Sequence, residues 1–72
     1  MLNRQLIKRK RKEFGYSQDD VAIRTGYATK GSISRIESGE LKDIPISKAI
    51  RLSKILEIEM NDLVKGGYHV EV

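Results

Sequence analysis

SQDDVAIRTGYATKGSISRIE, residues 17–37, is the stretch whose reading decides the fold. Ser17 is followed three residues later by Asp20, a capping-box pairing in which the hydroxyl accepts an amide hydrogen of the first turn and the carboxylate reaches back. A helix is therefore predicted to begin at about Gln18. Val21, Ala22 and Thr25 share one side of it, and Ala22 is small enough for another helix to approach closely. Gly26 stands just past the last of these, where a left-handed cap ends a helix and turns the chain. Beyond the turn, Ile33 and Ile36 are three apart among Ser32, Ser34, Arg35 and Glu37, which predicts a second short helix buried by two isoleucines and polar outside. Two short helices joined by a glycine-containing turn make a helix-turn-helix.

The same residues carry a family resemblance. Gln18, Ala22, Gly26, Ile33 and the run Ser34-Arg35-Ile36-Glu37-Ser38-Gly39 resemble the DNA-binding domains of the lambda-repressor and Cro-like family, also called the XRE family, over about residues 7–63. In most members the interval from turn glycine to buried aliphatic is one residue shorter than Gly26 to Ile33. The longer turn, with Asp43-Ile44-Pro45 after it, resembles a subset of small phage and mobile-element repressors and leaves open which residue starts the second helix. The resemblance implies an all-α, compact five-helix lambda-repressor-like domain. It also implies that Arg11, which interrupts the apolar side of the first helix, pairs with Glu37 and ties that helix to the second helix of the motif.

Outward from the motif, Asn3 can cap a first helix running to about Phe14, with Leu6, Ile7, Arg11 and Phe14 roughly on one side and Gly15 ending it. The Lys10 stem is expected to cover the core edge while its ammonium reaches solvent or phosphate. Tyr16 precedes the Ser17 cap and is expected to staple the start of the helix against Val21 or nearby apolar groups. Tyr27 is expected to seal the gap between the motif helices, its hydroxyl either inside or turned outward to a phosphate. Gly31 is expected to permit a close backbone approach or a turn conformation.

After Gly39 and a polar loop, Ile44-Pro45-Ile46 opens a helix, since a proline in the first turn sacrifices no intrahelical bond. Ile46, Ala49, Ile50, Ser53 and Leu56 keep helical spacing, and Leu52, Ile55 and Ile58 widen the stripe. A last helix, about residues 60–65, places Met60, Leu63 and Val64 over it. The domain is thus predicted over residues 1–65. Residues 66–72 form a tail whose Tyr68-His69-Val70-Glu71-Val72 alternation suits either a strand pairing with a second copy or a frayed terminus.

Composition narrows the function. The 72 residues contain no cysteine, and 14 Lys and Arg against 10 Asp and Glu leave a net charge of +4. Arg4, Lys8, Arg9, Lys10, Arg11 and Lys12 all precede the first acid, Glu13, and such a basic edge beside a helix-turn-helix is the footprint of a phosphate-binding surface. No apolar run reaches signal-peptide or membrane-span length, so a soluble, cytoplasmic protein with no membrane partner is expected. No nucleophile and base, metal cluster or phosphate-cradling glycine loop points to an enzyme, and neither cofactor nor metal is expected. Asp19 and Asp20 suit a helix N-terminus, where the dipole favours carboxylates.

In a helix-turn-helix the second helix enters the major groove and the first lies across the backbone. The expected DNA-binding residues are Thr29, Lys30, Ser32 and Arg35 at the base edges, Ser34 facing sideways to a phosphate, and Gln18 on a phosphate or bracing a recognition side chain. The expected function is a sequence-specific transcriptional regulator of bacterial or phage type, a repressor binding double-stranded DNA as a dimer on a near-palindromic operator. The alternatives are an antitoxin-like regulator that also masks a partner protein, and a protein-interaction module that no longer binds DNA.

Overall fold

The computed structural model of the chain describes residues 2–27 and 29–64. Among these are five helices, α1 (Arg4–Glu13), α2 (Gln18–Thr25), α3 (Lys30–Ser38), α4 (Ile46–Leu56) and α5 (Met60–Leu63). The Asn3 side chain accepts the Leu6 amide at 3.4 Å and starts α1, whose C-cap is Phe14. At α2 the capping box is complete: the Asp20 amide donates to Ser17 Oγ at 3.0 Å and the Ser17 amide to Asp20 Oδ2 at 2.9 Å. Gly26 (φ 88°) and Gly39 (φ 86°) take the left-handed caps that end α2 and α3. A side chain is disfavoured in that conformation, which accounts for glycine at both ends.

The core lies where all five helices converge. Ile7 of α1, Val21 and Ala22 of α2, Ile33 and Ile36 of α3, Ala49, Leu52 and Leu56 of α4 and Leu63 of α5 are buried together. Ala22, 1 % exposed, sits on the helix that packs most extensively against α3 and α4. Two polar residues join this core because their hydroxyls are satisfied locally. Thr25 Oγ1 donates to the Val21 carbonyl at 2.6 Å and Ser53 Oγ to the Ile50 carbonyl at 2.6 Å.

The structure corrects several expectations. Ile46 and Ile50, assigned to the buried stripe of α4, are 58 % and 40 % exposed, because α4 has one buried side, defined by Ala49, Leu52, Ser53 and Leu56. Phe14 is also outward; its ring lies against that of Tyr16, with centroids 5.8 Å apart. Lys10 is half-buried, as expected of a stem at the core edge, and its ammonium is drawn to Glu13 Oε2 at 3.5 Å. Tyr16 is half-buried against the core, as expected of a staple. The last helix ends at Leu63, and the tail expected to form a strand lies outside the described residues.

Leu2 was not anticipated as a core residue. It forms an antiparallel bridge with Val64, while the Asn3 amide donates to the Leu63 carbonyl at 2.7 Å, so both ends of the described domain are stitched together. Among the described residues no helix is long and apolar enough to cross a membrane.

Candidate nucleic-acid interface

The sequence of α3 is a weak helix former, with glycine and three serines among nine residues. Thr29 is its N-cap but makes no side-chain capping bond. The helix is instead held from behind and, through Glu37, from one side. Ile33 and Ile36 are fully buried, so the opposite side is presented outward. Arg11 grips Glu37 in a two-pronged pair, Nε to Oε2 at 2.7 Å and Nη2 to Oε1 at 3.0 Å. Its third bond, Nη1 to the Tyr16 carbonyl at 3.0 Å, fixes the chain just ahead of α2. With side chains only 11 % and 5 % exposed, this pair is sheltered from water, and its planar geometry sets the angle between α1 and α3.

Each expected DNA-binding residue now has a place. Lys30 is the first residue of α3, which resolves the question left by the long turn, and both Thr29 and Lys30 are exposed at the leading end. Ser34 and Arg35 are exposed on the outward side, while Ser32 is half-buried on its flank. Gln18, at the amino end of α2, donates its amide to Glu37 Oε1 at 3.4 Å and so braces the Arg11–Glu37 pair. The structure thus gathers Thr29, Lys30, Ser34 and Arg35 on one end and one side of α3, leaves Ser32 on the flank and puts Gln18 against the base of the helix.

At Gly31 and Tyr27 one of two expected alternatives falls away. Gly31 lies inside α3 with an ordinary helical backbone rather than a turn conformation, since its φ is not positive. What its missing side chain leaves is a bare patch of backbone near the leading end. Tyr27 is half-buried with its hydroxyl inside, and Lys48 Nζ lies 5.0 Å from the ring centroid; the hydroxyl does not turn outward. The ring seals the motif as expected.

Three stabilising side chains were invisible to sequence reasoning. Arg4 Nη1 donates to the Ser38 carbonyl at 2.7 Å, closing the carboxyl end of α3, and Lys48 Nζ donates to the Gly26 carbonyl at 2.9 Å, closing that of α2. A cation at a helix carboxyl end satisfies an orphan carbonyl and opposes the dipole. Arg24 lies 4.8 Å from the Tyr16 ring centroid. These partners are 34, 22 and 8 residues apart, and no local pattern marks the two longer pairings.

Comparison with known proteins agrees with this geometry. A family profile described as Helix-turn-helix matches residues 7–63. No curated protein matches the chain. Among solved structures, SinR, the master regulator for biofilm formation, in complex with DNA is 32 % identical with a TM-score of 0.69, over 78 % of this chain and 90 % of that one. The N-terminal DNA-binding domain of SinR from Bacillus subtilis is 32 % identical with a TM-score of 0.68, covering 78 % and 80 % of the two chains. The SinR/SinI protein complex gives a TM-score of 0.76 at 31 % identity, over 90 % of this chain and 61 % of that chain. With a match spanning most of its length and an α3 built to present a polar side outward, the chain belongs to the lambda-repressor and Cro-like (XRE) helix-turn-helix family of DNA-binding transcription regulators.

Proposed function

We propose that this regulator is a cytoplasmic repressor that binds a near-palindromic operator as a homodimer, reading each half-site with α3. The observation that carries the reading is the construction of α3. A helix with poor intrinsic propensity is pinned by Ile33, Ile36 and Glu37, while Lys30, Ser34 and Arg35 are left exposed. Lys30 and Arg35 are the donors suited to guanine O6 and N7, and the hydroxyls of Thr29, Ser32 and Ser34 suit several bases or phosphates. Gln18, braced on Glu37, stands at the amino end of α2 where the backbone passes. One such helix reads few base pairs, so two copies on half-sites about 10 bp apart, or a multiple of that, supply the specificity.

The test is selection of bound duplexes from a random pool, with stoichiometry read from the mass of the complex. A two-fold symmetric motif bound by two chains is expected, and Arg35→Ala should cost about 1–3 kcal/mol and relax the preference at one position per half-site. No enriched sequence at low salt would end the reading. A second reading, in which the domain also engages a partner protein, is favoured by the likeness of 90 % of the chain to SinR in its complex with SinI. A second protein that co-purifies stoichiometrically and competes with DNA would support it.

A further inference from the structure

The basic run of α1 is divided by the fold into groups with different tasks. Arg11 is consumed by Glu37. Arg9 and Lys10 turn to Glu13, at 3.9 and 3.5 Å, and Arg9 lines a hollow with Asn3 and Asp62 near α5. Lys8 and Lys12 are left, exposed, one helical turn apart, with no carboxylate within salt-bridge distance among the described residues. They line a shallow concavity between α1 and α3 together with Gln18, Ser34 and Ser38. Its floor is the Arg11–Glu37 pair, in which the carboxylate is already neutralised, so the net charge of the hollow comes from the two lysines.

Two like charges at i and i+4 repel, and a helix gains nothing from them in the free protein. An anion between or above them removes that repulsion. An α-helix is about 10–12 Å across and the major groove about 12 Å wide, so a helix seated there leaves the two sugar-phosphate strands to run over whatever flanks it. On one flank of α3 that element is this concavity, which shares Ser34 with the outward side of α3.

We propose that the α1–α3 concavity is a seat for one strand of the DNA backbone, with Lys8 and Lys12 as its phosphate-binding cations. The inference rests on α3 being the groove-reading helix. It assigns the two lysines to affinity and none to base choice, since bonds to phosphate carry no sequence information directly.

Lys8→Gln/Lys12→Gln is compared with Arg9→Gln by measuring affinity against salt on both a selected site and a scrambled duplex. Each phosphate that the protein no longer neutralises lowers the log-log salt slope by roughly 0.9. The double variant's slope should fall by about 1.8 on both duplexes alike, with the ratio between them kept and melting no lower than the wild type, whereas Arg9→Gln should leave the slope nearly unchanged. An equal slope change in both variants, or a double variant whose preference between the duplexes shifts, would overturn the assignment. A wild type that binds duplexes without preference would remove the operator reading alone, because the slope on any duplex still tests the seat. A wild type that binds no duplex at low salt would remove both.

Discussion

α2 and α3 are adjacent helices of eight and nine residues, held in place by opposite means. α2 carries its own instructions: a complete capping box at one end, a left-handed glycine at the other, and a Val21, Ala22, Thr25 stripe between them. α3 has the glycine cap but no side-chain N-cap, and its register and tilt come from outside, through Arg11 on Glu37 and Arg4 on the Ser38 carbonyl. On the proposed function, the difference follows from what each surface is for. A helix whose outward side chains are reserved for a ligand cannot spend them on its own stability, so distant residues hold it.

The most severe way to break this contrast is Arg11→Ala. It strands a carboxylate that is 5 % exposed, and removing one partner of a buried pair costs about 3–5 kcal/mol. For a domain of this size that is a large share of its total stability. We expect a large drop in denaturant midpoint and loss of DNA binding. A midpoint close to wild type would mean that α3 is not held from outside.

At the crossing the two helices share, Ala22→Val should cost about 1–3 kcal/mol by overpacking, seen as a lower melting temperature. Because α2 packs against both α3 and α4, the added methyls have no open side to move into. Ser17→Ala tests the local device alone and should cost about 1 kcal/mol, with DNA affinity per folded molecule preserved. The Asp20 carboxyl is held below its ordinary pKa, first by the Ser17 amide and then by the Ser17 hydroxyl, with Arg24 adding to them. A carboxyl pKa lowered by folding contributes stability that is complete above the unfolded value and fades as the pH falls through the folded one. The acid limb of the stability profile should therefore flatten in Asp20→Asn.

The smallest effect has the opposite sign. Gly31→Ala places a better helix former in α3 and should raise stability by roughly 0.3–1 kcal/mol. The new methyl meets only Thr29 Oγ1, at 3.4 Å. DNA affinity should nevertheless fall, because that methyl projects from the bare backbone at the leading end. Tighter binding in this variant would show that the missing side chain has no part in the interface.

The helix-turn-helix was legible because its signals are local. Ser17, Gly26, Ile33, Ile36 and Gly39 each act within one turn of themselves, and all five behave as their spacing predicts. The Arg11–Glu37 bond, 26 residues apart, came only from family resemblance. α4 was harder to read because it offers more apolar residues than one helix side can bury. Spacing alone admitted Ile46 and Ile50 to the stripe, and only the positions of α2 and α5 leave them outside.

By itself, then, the sequence determined where the motif helices start and stop and which side of each turns inward, since capping geometry and a 3.6-residue period need no partner. The packing of α1 on α3 decided which of the basic run is consumed by another helix. Arg11 becomes a structural pin on Glu37, while Arg9 and Lys10 pair with Glu13 inside α1 at helical spacing and Lys8 and Lys12 keep open charges. Charge is written in composition, but its availability depends on where the nearest carboxylate lies in space, and that is a property of the fold.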